Sequence, residues 1–313
     1  MKFLSYCPVY SLALLLLLLN VTGCTTSVRK VSPATIDQVS LNSIAGSDEK
    51  TSQIANKTPE ELVRSGFVYL VRKDFTLANM HFVSALQKQP NLPLAYFGLA
   101  RTNQQQGNFE GAQENYQKAL KLQPDLLQAH IGLAQTMRLN DRLNDAIKAI
   151  NQAMLVSPDD VRVLSELAII YVTMGKETLA EPLYQEIVER APDQASSYNN
   201  LGMNYLLKKQ YAQAIIEFQQ ALAINRQDKR VKNNLATALA LYGDTNSALE
   251  IFKATVGEAA AYNNIGYLLL TQGRLDEAEK SLITALKINP KFYTRAQENL
   301  DRLNYLRKTQ IAN

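Results

Sequence analysis

An all-α chain built from one repeated pair of helices is the fold this sequence predicts, and three observations point to it. From Pro59 onward the residues repeat with a period of 34, long enough for two short helices and two turns. Small residues return at fixed places. The eighth column of the period reads Gly66, Ala100, Ala134, Ala168, Gly202, Ala236 and Gly266, and the twentieth reads Ala78, Ala112, Ala146, Ala180, Ala214, Ala248 and Ala278. Prolines close the first four periods at Pro90, Pro124, Pro158 and Pro192, where a missing N–H stops a helix, and Arg226 stands in the equivalent place one period later.

The segment ahead of the repeats is of another kind. Lys2 is followed by an apolar run from Leu12 to Leu19, too short to span a bilayer comfortably, and then by small residues, which is a signal-peptide layout. Val21-Thr22-Gly23-Cys24 resembles a bacterial lipobox. That resemblance implies removal of residues 1–23 as a lipoprotein signal peptide, with diacylglycerol and further acyl chains, palmitate among them, on Cys24. Several chains hold durably where one holds weakly, at about 0.8 kcal/mol per buried methylene. Thr25, in place of the aspartate that retains many such proteins at the inner membrane, implies the periplasmic face of an outer membrane.

Cys7 falls in the removed segment and Cys24 would carry lipid, so the mature chain is expected to hold no disulfide and to rest on packing alone. Loss of Lys2 lowers the net charge from +4 to +3, and no run of five like charges occurs. Nucleic acid is therefore not an expected partner, nor is a polybasic membrane contact. Residues 24–58, rich in Ser, Thr, Asn and Asp, read as an acylated flexible tether with a reach of roughly 30 Å, although Ile36, Val39, Leu41 and Ile44 leave docking open.

Seven units come next, at 59–92, 93–126, 127–160, 161–194, 195–228, 229–258 and 259–292. Small eighth and twentieth residues let two antiparallel helices approach closely. Bulky residues of the twenty-fourth column (Phe82, Tyr116, Ile150, Tyr184, Phe218, Phe252, Leu282) fill the space around them. Glycine in the fifteenth column (Gly107, Gly175, Gly243, Gly273) supplies the turn. Two departures stand out. Pro182 falls inside the second helix of the fourth unit, where a tolerated bend is expected. The sixth unit is short around Thr255-Val256-Gly257-Glu258, which predicts a tight corner that reorients the last unit and the cap. Residues 293–313 read as a capping helix and tail, with Ala296, Leu300, Leu303 and Leu306 on one face and Arg295, Glu298, Asp301, Arg302 and Arg307 on the other.

These columns resemble the tetratricopeptide repeat. The resemblance implies a right-handed superhelical α-solenoid of seven tetratricopeptide repeats plus the capping helix, whose first helices line a concave protein-binding surface. Columns two, five, six, nine and twelve are expected to point into it.

Catalytic chemistry is not expected. His81 and His130 lie 49 residues apart with no second ligand at metal spacing, and no nucleophile elbow, phosphate loop or dinucleotide fingerprint occurs, so neither metal nor cofactor is implied. His130 shares the fourth column with Tyr96 and Tyr198, which suits packing. Column six reads Arg64, Gly98, Gly132, Glu166, Asn200, Asn234 and Asn264, and column five ends in Asn199, Asn233 and Asn263. Amides at one repeat spacing offer donor and acceptor to the main chain of an extended guest, so these six with Arg230 form the candidate groove; bonds to solvent or the adjacent helix are the alternative. Arg101 and Arg138 are further candidates for a carboxylate.

The run Val231-Lys232-Asn233-Asn234-Leu235-Ala236, the short unit through Val256 to Tyr267, and Pro290-Lys291-Phe292-Tyr293 resemble the TadD family of lipoproteins of tight-adherence (Flp) pilus assembly. That resemblance implies a scaffold assisting an outer-membrane secretin, with other pilus-assembly components as further partners. The type IV pilus lipoproteins PilF and PilW, and general envelope scaffolds such as NlpI that gather peptidoglycan hydrolases or barrel-assembly factors, are the alternatives.

Overall fold

A computed structural model describes residues 56–290 and 293–311, and among these the chain forms fifteen helices and no strand. The lipobox with Cys24 and the tether as far as Ala55 lie outside the described residues, as do Lys291 and Phe292. The helices are α1 (Pro59–Val71), α2 (Phe75–Lys88), α3 (Pro93–Gln105), α4 (Phe109–Leu122), α5 (Leu127–Leu139), α6 (Leu143–Val156), α7 (Val161–Thr173), α8 (Glu177–Arg190), α9 (Ala195–Leu207), α10 (Tyr211–Ile224), α11 (Lys229–Tyr242), α12 (Thr245–Val256), α13 (Glu258–Thr271), α14 (Leu275–Ile288) and α15 (Tyr293–Ile311). They group into two compact bodies, an N-terminal one ending at Met174 and a C-terminal one beginning at Gly175.

Local chemistry explains where the helices begin. Thr58 and Glu61 form a reciprocal capping box on α1: the Thr58 hydroxyl accepts the Glu61 N–H at 3.2 Å while the Glu61 carboxylate accepts the Thr58 N–H at 2.8 Å. Asp74, Asn108, Asp160, Asp228 and Asp244 cap later helices through side-chain oxygens that accept first-turn N–H groups, and Pro59 and Pro93 occupy first-turn positions where the lost N–H has no partner to lose. The turn between the two helices of a unit needs a left-handed residue at column fifteen. Gly107, Gly175, Gly243 and Gly273 supply it with φ of +69° to +115°, but Lys73, Asp141 and Lys209 adopt it too, at φ 61°, 57° and 60°. Those three carry a strain that glycine does not.

Columns twenty and twenty-four form the spine of each body. Every alanine of the twentieth column is fully buried, as are Phe82, Tyr116, Ile150, Phe218, Phe252 and Leu282 of the twenty-fourth. A methyl group built on Gly66 would lie 2.6 Å from the Phe82 ring, and on Gly202 or Gly266 it would lie 2.8 Å from Phe218 or 2.7 Å from Leu282. Where the eighth column is glycine, it is therefore the slot into which the bulky side chain of the partner helix fits.

Both departures from the pattern are accommodated. Helix α8 runs through Pro182, which faces solvent, so water can satisfy the carbonyl it leaves unbonded. At the short unit, α12 ends on Val256 and α13 starts on Glu258, joined through Gly257 alone at φ +88°. Across this corner the Lys253 ammonium lies 5.4 Å from the centre of the Tyr262 ring. Helix α15 packs on α14 and α13 as a first helix would. Ala296 and Leu303 are fully buried, Leu300 and Leu306 half-buried, and Arg307 is paired with Asp276 and with Glu279, the latter at 2.9 Å.

Candidate protein-binding face

In each body the first helices of successive units touch one another: α1 with α3, α3 with α5 and α5 with α7, then α9 with α11 and α11 with α13. Residues on the flanks of a first helix are therefore spent on its neighbours, and only the crest is free. On a helix turning 100° per residue, columns two, nine and thirteen fall on one stripe. In the N-terminal body that stripe reads Glu60, Phe67 and Val71 on α1, Leu94, Arg101 and Gln105 on α3, and Gln128, Gln135 and Leu139 on α5. Val71, Leu94 and Leu139 are 84%, 47% and 51% exposed, and Arg101, Gln105 and Gln128 are exposed beside them.

In the N-terminal body several residues of columns five, six and twelve are spent inside the fold. A methyl group on Gly98 would come within 2.3 Å of the Phe82 ring, and on Gly132 within 2.4 Å of the Tyr116 ring, so column six receives the aromatic side chain of the preceding unit. In the fourth unit the same column holds Glu166, almost fully buried and paired with Arg138 of column twelve at 2.7 Å. Arg138, a candidate for a guest carboxylate, is thus occupied by one of the protein's own. Burial pushes the Glu166 carboxyl above the usual range against the pull of the Arg138 guanidinium and a bond from Gln135. Column twelve also contributes Gln104, which accepts the Tyr116 hydroxyl at 3.1 Å. Burial raises the Tyr116 phenol far above its ordinary value, the nearby Arg101 charge notwithstanding.

The asparagines of the C-terminal body form clasps between first helices. Asn234 donates to the Asn199 carbonyl at 2.9 Å, joining α11 to α9, and Asn299 of α15 donates to the Asn263 carbonyl at 3.1 Å, joining the cap to α13. Asn233 accepts from the Thr255 hydroxyl. Asn234 and Asn263 are buried, while Asn199, Asn200, Asn233 and Asn264 are half-buried; Asn199 also reaches Asn200 at 3.5 Å. Arg230 is exposed at the start of α11 and pairs with its capping residue Asp228 at 3.3 Å. Of the seven groove candidates, Asn200, Asn264 and Arg230 keep the most freedom toward a guest. The exposed thirteenth-column residues are not legible in the sequence, because Val71, Gln105 and Leu139 share no chemistry by which a column could be recognised.

Neither histidine gathers ligands. The Nε2 atom of His130 lies 2.8 Å from the Pro124 carbonyl, and His81 is buried in parallel stacking on Tyr69 at 5.0 Å. Among the described residues no group of three or more His, Cys, Asp or Glu is placed to hold a metal, and no helix is long and apolar enough to cross a membrane.

Three models of the tetratricopeptide repeat match the chain, over residues 104–165, 159–227 and 259–292. It is a tetratricopeptide-repeat protein. No curated protein sequence matches it. Solved tetratricopeptide-fold structures resemble it at low identity. PilW, described as a widely conserved type IV pilus biogenesis factor, is 19% identical with a TM-score of 0.58, over 64% of this chain and 94% of its own. PilF from Pseudomonas aeruginosa is 22% identical with a TM-score of 0.53, over 67% and 97%. A tetratricopeptide repeat protein from Parabacteroides merdae ATCC 43184 is 18% identical with a TM-score of 0.57, over 78% and 98%. At these identities the likeness is one of fold.

Proposed function

We propose that this tetratricopeptide-repeat protein is a non-catalytic scaffold, fastened by lipid on Cys24 to the periplasmic face of an outer membrane, that assists a secretin or another component of pilus assembly. The observation that carries the scaffold reading is the chemically mixed crest of α1, α3 and α5, where Val71, Leu94, Arg101, Gln105, Gln128 and Leu139 are exposed side by side along the first helices of the N-terminal body. Pilus assembly is favoured by the sequence resemblance to the tight-adherence (Flp) lipoproteins and by the fold shared with PilW, described as a type IV pilus biogenesis factor. In the C-terminal body, Asn200, Asn264 and Arg230 are the residues offered to the partner.

The test uses the lipidated protein captured from detergent-solubilised outer membranes. Co-purification of the secretin, lost in a Cys24→Ser variant, is the expected result. Intact secretin multimers in a strain lacking the protein, together with no co-purification, would reject the pilus reading and leave a general envelope scaffold that recruits peptidoglycan hydrolases or barrel-assembly factors.

A further inference from the structure

The second helix of the first unit differs from its counterparts on the side turned away from α1. Charge enters α2 only at its last residue, Lys88, whereas α4, α6, α8, α12 and α14 each hold two or more charged residues and α10 holds Glu217. Column twenty-two shows the contrast. Met80 stands where the later units have Glu114, Lys148, Pro182, Ile216, Glu250 and Lys280, and it is half-buried where all six are exposed. Leu77 and Val83, also half-buried, fall within 60° of it on a helix turning about 100° per residue, so the three make one apolar stripe. On the flank of that stripe the Asn79 Oδ1 atom is buried with no hydrogen-bond donor among the described residues.

The chain enters the repeats beside this helix. The Lys88 ammonium, at the C-terminal end of α2, donates to the Lys57 carbonyl at 2.7 Å, so the residues ahead of Lys57 depart from next to the uncharged stripe. Ile44 precedes Lys57 by thirteen positions. Extended at about 3.3 Å per residue, that length covers up to about 43 Å, twice the roughly 21 Å of α2. The stretch is matched in chemistry as well as reach: residues 38–47 hold no charge, and Ile36, Val39, Leu41 and Ile44 supply aliphatic side chains.

We infer that residues 36–44 of the chain dock on the outer face of its own α2, with Ile36, Val39, Leu41 and Ile44 covering Leu77, Met80 and Val83 and a backbone N–H of the segment donating to Asn79. Linkage through so few residues sets an effective concentration on the order of millimolar. A small apolar contact then suffices, where a separate chain would need a large one. With Cys24 acylated, about twelve residues remain between the lipid and the docked segment, and the reach of the tether falls from roughly 30 Å to roughly 20 Å. Docking thus sets how far from the membrane the N-terminal body stands. It needs neither the scaffold reading nor the pilus reading.

Photocrosslinking on the purified full chain tests it, with p-benzoylphenylalanine in place of Met80 and, as a control, in place of Ile216 at the same column of α10. An intrachain crosslink from the Met80 site to residues 36–44, identified by mass spectrometry and absent from the Ile216 site, is the expected result. It should be lost when Ile36→Ser, Val39→Ser, Leu41→Ser and Ile44→Ser are combined. Those four changes lie outside the repeats, and circular dichroism checks that the helices are unaltered. A crosslinked product of twice the chain mass would assign the face to a second copy and overturn the inference. So would a crosslink to the Leu12–Leu19 run, equal crosslinking from the Ile216 site, no crosslink at all, or one that survives the four serine substitutions.

Discussion

The Asn234 amide donates to the Asn199 carbonyl at 2.9 Å, from the sixth column of one unit to the fifth column of the unit before it. The pair Asn299 and Asn263 makes a similar amide bond where the cap meets the last unit, with a separation one residue longer. A buried amide bonded across a repeat boundary reports on register, because sliding one first helix along the other leaves both polar groups stranded.

Replacing either partner of the Asn199–Asn234 clasp with alanine is expected to destabilise the C-terminal body by about 1–2 kcal/mol, and the double replacement by less than the sum. Urea denaturation of the two single variants and the double variant measures the coupling. Strict additivity would show that the bond contributes nothing of its own.

Gly98 and Gly132 give the sharpest packing test. With a ring already within 2.3 Å or 2.4 Å of where a methyl group would be, Gly98→Ala and Gly132→Ala should each cost about 1–3 kcal/mol in spite of alanine's better helix propensity. The comparison is thermal unfolding of each against the parent chain.

The left-handed column fifteen makes an opposite prediction. Lys73→Gly, Asp141→Gly and Lys209→Gly relieve a φ near +60° and should raise stability by up to about 1 kcal/mol each, whereas Gly243→Ala at φ +115° should lower it by at least as much. Melting temperatures of the four variants decide the sign.

Arg138 and Glu166 should behave as a unit. Arg138→Met leaves a buried carboxylate unanswered and is expected to cost about 2–4 kcal/mol, while Arg138→Met with Glu166→Leu should recover most of that loss. Denaturant midpoints of the single and double variants provide the check.

His81 predicts a pH dependence. Burial first, and the Lys57 charge second, hold its imidazole below the ordinary value of 6.5, so the unfolded chain binds a proton before the folded one does. Its contribution is fully present above pH 6.5 and is lost as the pH falls below that, until the folded-state value is reached. Melting temperature followed from pH 7.5 down to about pH 5 should fall less steeply in His81→Gln than in the parent; identical slopes would remove His81 from the account.

Much of this molecule is legible in its residues alone. The alanines of column twenty and the aromatics of column twenty-four recur because every helix pair poses the same close-packing problem, and a problem solved seven times leaves a visible period. A tight corner is readable around Thr255-Val256-Gly257-Glu258, where the repeat loses residues, whereas only the structure places the turn on Gly257 alone. The asparagine ladder is visible as a pattern and ambiguous as chemistry: an amide at repeat spacing serves a guest or a neighbouring helix equally well, and only its distance to the next helix separates the two.

By itself the sequence determined the helical repeat and its period, because regular spacing of small, bulky and turn residues is a local property that a one-dimensional pattern can express. Tertiary structure alone decided which columns are spent between neighbouring first helices and which remain free. Contact between those helices buries Gly98, Gly132, Glu166 and Asn234 of column six while Arg64 of the same column stays exposed, and it buries Thr237 and Leu241 of α11 while Arg101 and Leu139 at the same columns of other units do not become buried, a unit-by-unit division that composition does not encode.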